Sequence, residues 1–174
     1  GIDPGHGGKD IGAQGLAKKG DLVEKEINLK TAEILKQDLE AKGAKVIMLR
    51  EGDSTVELSD RVSTAQNNRV DIFISIHANS SSNSKASGTE VFYYEPIAKS
   101  LASNISSRVA KNNDRPNRGA KHSNYLVTLN SSAPAVLVEV GFLTNRDDYD
   151  AMTSEAGMKA TSKGITDAVV NMFK

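Results

Sequence analysis

Two of the three histidines in the chain stand where a strand is expected to end and a loop to begin. His6 lies in Asp3-Pro4-Gly5-His6-Gly7-Gly8, and His77 follows the run from Val70 to Ile76. An imidazole can ligate a metal ion or carry a proton near neutral pH. A third ionisable residue, Glu139, is set inside the apolar stretch from Ala135 to Leu143. A carboxylate there is costly to strip of water unless a cation or a functional proton transfer offsets it. Each residue alone has an ordinary reading, as a hydrogen-bonded strand-end histidine or as a Glu139 paired with Arg50 or Arg61. Their coincidence at three strand ends points to a site, because loops converge at the carboxyl ends of an open α/β sheet.

A catalytic zinc ion normally keeps three protein ligands and one exchangeable water. Two histidines therefore need a partner. Glu24, in Glu24-Lys25-Glu26-Ile27-Asn28-Leu29, is the best candidate. Yet Asp21-Leu22-Val23-Glu24 also has the form of a capping box, with Asp21 as N-cap and Glu24 reaching back to a backbone amide. A carboxylate suits a helix N-terminus in any case. Spacing separates neither Glu24 from Glu26 nor ligand from cap. The glycines around His6 lack GxGxxG spacing and a P-loop lysine and serine, so nucleotide binding is weakly supported.

The elements that must position these groups alternate. Ala44 to Arg50, Val70 to Ile76, Thr89 to Tyr94 and Ala135 to Val140 read as strands, several nearly continuous in Val, Ile and Phe. Helical stripes lie between them: Ile27, Leu35 and Leu39 before Gly43; Leu58, Val62 and Ala65; Ile97, Leu101, Ile105 and Val109; and Ile165, Val169, Met172 and Phe173. This order predicts an α/β domain with a largely parallel sheet. Ser80 to Ser87 and the basic stretch Asn112 to Asn124 read as loops.

At 174 residues the chain is long enough for one full hydrophobic core. Lys plus Arg and Asp plus Glu are 22 each, a formal net charge of zero, which argues against a general nucleic-acid binder. Cys is absent, so disulfides, Cys-zinc ribbons and thiol nucleophiles are excluded. No apolar run is long enough to predict membrane insertion. The opening Gly1-Ile2-Asp3 falls inside a strand end, so residues 1–174 read as a domain cut from a longer exported protein.

Gly1 to Asp10, continuing to Gly12-Ala13, resembles the opening of the zinc-dependent N-acetylmuramoyl-L-alanine amidases of the amidase-3 type, which are bacterial cell-wall hydrolases. Glu24-Lys25 with Asn28-Leu29, Leu49-Arg50, Leu58 with Arg61 and Ala65, Ser75 to Asn79, Gly88-Thr89-Glu90, Asn117-Arg118-Gly119 and Pro134 to Asn145 resemble further motifs of that family, in order. The resemblance implies zinc held by His6, Glu24 and His77, with Glu139 as catalytic acid/base. It implies a single α/β domain, a mixed and mostly parallel sheet of about six strands flanked by helices on both faces. It further implies cleavage of the amide between N-acetylmuramic acid and L-alanine in peptidoglycan, by a protein secreted to the bacterial cell wall.

The chain departs from the family pattern at Leu129, where an arginine is common, and at Ala133, where many members carry methionine. His122 belongs to none of the motifs and is expected at the surface. Thr89 to Tyr94 is followed closely by Glu95-Pro96 and one ordinary helix. The site is therefore expected to be open, in a monomer that needs no activator. Arg115 or Arg118, within a basic cluster, is expected to hold a carboxylate of the stem peptide, with Asn79 as a further substrate contact. Asp3, Asn79 or a backbone carbonyl is expected to orient a ligand imidazole.

Overall fold

Along the central strands, successive apolar side chains alternate between two buried faces, so both faces need cover. The computed structural model describes residues 1–173. Strands β1 (Ile2–Pro4), β2 (Phe73–Asn79), β3 (Thr89–Tyr93), β4 (Asn117–His122) and β5 (Ala135–Phe142) form one five-stranded sheet in the order β1-β2-β5-β3-β4. β1, β2 and β5 run parallel, as do β3 and β4, and the antiparallel junction joins β3 to β5.

On one face Ile74, Ile76, Val91, Val136 and Val138 share a core with Ile27 and Leu35 of α1 (Glu24–Glu40), Leu101 and Ile105 of α3 (Lys99–Asn112), and Ile165 of α6 (Glu155–Met172). On the other, Phe73, Ala135 and Leu137 meet Val62 and Ala65 of α2 (Leu58–Asn67) and Val127 of the short α4 (Leu126–Leu129). Full burial of each large apolar side chain stabilises the fold by about 1.5–3 kcal/mol. α2 and α4 cover only part of their face, and the carboxyl ends of β2 and β5 stay accessible beside them. Among the described residues no helix is long and apolar enough to cross a membrane.

The expected α/β architecture, mixed sheet and two helical layers are present, with differences in detail. Ala44 to Arg50 is not a full strand. It touches β1 through the bridge Ile2–Met48, with hydrogen bonds from Ile2 N to Ile47 O and from Leu49 N to Ile2 O. Pro4 has no N–H to extend that ladder, so five strands stand where about six were expected. β2 begins at Phe73 and runs on to Asn79, which places His77 inside the strand rather than behind it. The stretch read as a basic loop contains β4, an edge strand whose residues are exposed or half-buried. An edge strand blunted by charge lacks apolar alternation, which hides it from a pattern reading. Ile97, Met172 and Phe173, read as core stripe, are exposed. α5 (Arg146–Thr153), capped by the Asn145 side chain, is an additional element.

Candidate metal centre

His6 leaves β1 in a left-handed conformation with φ 64°. Two buried arginines hold this turn. Arg61 donates to Asp3 Oδ1 at 2.6 Å, to Pro4 O at 2.8 Å and to His6 O at 2.7 Å. Arg50 donates to the carbonyl oxygens of Pro4, Gly5, Lys25 and Gly52. Both arginines are therefore committed to the turn and Asp3, and neither pairs with Glu139.

The start of α1 separates the two glutamates that spacing left unresolved. The N-cap is Val23, one residue before Glu24. Glu26, at the third helical position, accepts the Val23 N–H at 3.0 Å, so Glu26 closes the helix end. Asp21 instead accepts the Lys18 N–H at 2.9 Å. The alternative Asp21–Glu24 box is absent because the helix begins two residues later than that motif requires. Glu24 is left to turn inward, where it is 3% exposed.

Glu24 Oε1 lies 3.0 Å from His6 Nε2 and 3.1 Å from His77 Nδ1. One ligand atom from each of the three residues lies within 4.8 Å of the others. Backbone N–H groups of Ala13 and Ala78 donate to the Glu24 carboxylate at 2.7 and 3.1 Å and fix its plane. Two imidazole nitrogens and a carboxylate oxygen, drawn from a loop, a helix start and a strand, fit a divalent transition-metal ion. His6 presents its other nitrogen, Nδ1, to Asp10 Oδ2 at 2.7 Å. Asp10 is thus the residue that orients His6, in place of the expected Asp3, Asn79 or backbone carbonyl. Asp3 is occupied by Arg61 and Ser75, and Asn79 donates to Glu90. The sequence places Asp10 four residues after His6, and the tight Gly7–Asp10 turn brings it back to the ring.

Burial opposes the charge on Glu24, but hydrogen bonds from His6 and His77 outweigh it and hold the carboxyl well below the usual range. Burial likewise opposes protonation of His6, yet Glu24 and Asp10 together raise it to about 9. A cation held by His6, Glu24 and His77 would take the place of that proton, so loading the site would release protons.

Glu139 sits directly opposite His77 in the parallel pairing of β2 and β5. Its Oε2 is buried and meets no hydrogen-bond partner among the described residues. Burial, then the nearby charges of Glu24 and Glu90, push its carboxyl up to about 7, partly offset by His77 and His6. A carboxyl near 7 can both accept and donate a proton at neutral pH. It lines a cavity of about 450 Å³ with His6, Glu24 and His77, walled by Leu58, Tyr125 and Leu126. A larger hollow of about 560 Å³ lies at the opposite end of the sheet, between Val46, Val70 and Phe173. None of the three clustered donors lines it.

Of the expected substrate contacts, Arg118 and Asn79 come together. Arg118 Nε and Asn79 Nδ2 each donate to Glu90 at 2.8 Å, and Lys121 joins the same carboxylate. Arg115 turns instead to Asp147 and Asp148, at 3.4 and 4.0 Å. His122 is exposed and packs near the Tyr94 ring.

The chain is 38% identical over 172 residues to the probable cell wall amidase LytH of Staphylococcus saprophyticus, covering 99% of this chain and 57% of that protein. It thus spans little more than half the length of that relative. The catalytic domain of CwlV, an N-acetylmuramoyl-L-alanine amidase from Bacillus (Paenibacillus) polymyxa, superposes with a TM-score of 0.93 at 34% identity, covering 99% of this chain and 96% of that one. The N-acetylmuramoyl-L-alanine amidase AmiC2 of Nostoc punctiforme does so at 0.92 and 36%, covering 99% and 94%. Residues 1–171 match the sequence pattern of the Amidase_3 group, and with that match across nearly its whole length the chain belongs to the N-acetylmuramoyl-L-alanine amidase family.

Proposed function

We propose that this domain hydrolyses the amide joining the lactyl group of N-acetylmuramic acid to L-alanine of the peptidoglycan stem, with His6, Glu24 and His77 holding zinc and Glu139 as acid/base. The observation that carries this reading is the unpartnered Oε2 of Glu139 beside the three clustered donors. A zinc ion held there supplies a Lewis acid that polarises the scissile carbonyl and acidifies water. Glu139 takes a proton from the attacking water onto a carboxylate oxygen and returns one to the departing alanine nitrogen. Asp10 keeps His6 in a fixed tautomer. Leu58, Tyr125 and Leu126 shield the reacting bond on one side of the cavity.

The same reading places the protein outside the cell, at the wall where its substrate is. α3 packs its apolar side into the core behind the sheet rather than over the site, which supports action as a monomer without an activator that displaces an occluding helix.

Mass spectrometry of digested peptidoglycan tests the reaction. New N-terminal L-alanine is expected, removed by a chelator and restored by zinc. Newly exposed amines inside the stem peptide would instead make the domain a peptidase. No release of either kind would leave a wall-binding module.

A further inference from the structure

We infer that Arg118 and Lys121, seated on Glu90, form a subsite for a free carboxylate of the stem peptide one residue beyond the scissile amide, an assignment that rests on the amidase reading above. Glu90 is 4% exposed and receives Arg118, Lys121 and Asn79 on one carboxylate. One cation suffices to neutralise it, so the cluster keeps a net positive charge. That charge is accessible, since the Arg118 and Lys121 side chains are 37% and 41% exposed. Arg118 spends only Nε on Glu90, and neither Nη meets an acceptor among the described residues. The free edge of the guanidinium is a fork shaped for a second carboxylate.

The backbone is bent to build this arrangement. In a regular strand, residues three apart point to opposite faces. Arg118 and Lys121 nevertheless reach the same carboxylate. The register of β3 and β4 shifts between Thr89 and Glu90, where Asn117 and Gly119 are the partners and Arg118 is the extra residue. Such bulges re-aim a side chain and are frequent beside active sites. The Arg118 guanidinium also stacks 5.0 Å from the centroid of the Phe142 ring, which limits its freedom.

The spacing suits a peptide. Glu90 and Glu139 are direct partners across β3 and β5, and Gly119 is the partner of Glu90 on β4. Strands about 4.8 Å apart put β4 about 10 Å from β5. An extended peptide advances about 3.5 Å per residue, so the carboxylate of the residue after L-alanine stands about 7 Å beyond the scissile carbon. Side chains reaching inward from β4 to Glu90 cover the remainder.

The test compares N-acetylmuramoyl-L-alanyl-D-glutamate, its γ-carboxyl blocked as the methylamide so that only the α-carboxylate is free, with the α-amide of the same compound. Affinities are measured by calorimetric titration into the zinc-loaded Glu139→Gln protein, which keeps both ligands intact. The acid is expected to bind about tenfold more tightly than the amide. Adding Arg118→Gln and Lys121→Gln, with Glu90→Gln so that no carboxylate is left buried without its cations, is expected to bring the ratio to about one. Equal affinities at the outset, or a preference that survives these substitutions, would overturn the subsite. If the unsubstituted enzyme cleaves neither compound while the preference and its loss are as stated, the subsite stands and the amidase reading falls.

Discussion

Arg61 Nη2 donates to the carbonyl oxygen of His6 at 2.7 Å, and His6 is one of three non-glycine residues held at positive φ among the described residues. A left-handed non-glycine residue costs roughly 1–2 kcal/mol, so the turn that presents Nε2 to Glu24 must be held from outside. The same guanidinium neutralises Asp3, which is 1% exposed. Arg61→Met should therefore lose about 3–5 kcal/mol in urea unfolding, because it leaves a buried carboxylate without its cation. Adding Asp3→Asn should recover part of that stability but leave zinc affinity low, since the His6 carbonyl still lacks its donor. Wild-type zinc affinity in the double variant would show that Arg61 serves Asp3 alone.

Glu24 and Glu26 should separate cleanly. Glu26→Gln weakens only a helix-end hydrogen bond and should cost about 0.5–1 kcal/mol, with zinc binding kept. Glu24→Gln removes the anionic oxygen that lies 3.0 and 3.1 Å from the two imidazole nitrogens. It should abolish stoichiometric zinc binding in equilibrium dialysis. Zinc retained by Glu24→Gln and lost by Glu26→Gln would reverse the assignment.

Glu139 sets a pH dependence of known sign in the metal-free protein. Its carboxyl ordinarily titrates at 4.5 and is pushed up to about 7, first by burial. Below 4.5 both folded and unfolded chains hold the proton. Between 4.5 and about 7 the unfolded chain releases it while the folded one keeps it, so stability falls as pH rises through that window and stays lost above it. Carrying the carboxyl over that interval corresponds to roughly 3 kcal/mol. Glu139→Gln should thus gain up to about 3 kcal/mol over wild type near neutral pH and nothing near pH 4, by guanidinium unfolding of both metal-free proteins. A gain of equal size at both pH values would remove titration as its cause.

The sheet and its two helical layers were legible because apolar runs and helical stripes are strong signals, and Glu139 was legible because a carboxylate interrupts one of them. Glu24 was not separable from Glu26 by spacing, since both lie in the first turn and the boundary between Asp21 and Val23 decides which one caps. β4 escaped because edge strands carry charge where inner strands carry Val and Ile. The Arg118–Glu90 contact escaped for a related reason: it depends on a bulge in the pairing of two strands, and a bulge leaves no periodic mark. Asp10 was in plain view within the first motif, four residues after His6, but its reach to Nδ1 depends on the turn that folds it back.

Gly5 ties the first motif to the second by exclusion of volume. Its φ is not in the left-handed region, so the backbone there would accept alanine, and the obstacle is a neighbour. A Cβ at position 5 would stand 2.2 Å from His77 Cε1 and 2.3 Å from Nε2, well inside contact distance. The imidazole is the movable partner, because Gly5 N is bonded to Ile76 O and Gly5 O accepts from Asn28 and Arg50. Gly5→Ala should therefore displace the His77 ring from Glu24 and lower zinc affinity by about 10–100-fold, with a stability loss of only about 1–3 kcal/mol. Adding His77→Ala should return the lost stability, since the new methyl then has room, while zinc affinity stays low. If Gly5→Ala binds zinc as wild type does, the ring is not held where the three donors meet, and the metal centre must be assembled some other way.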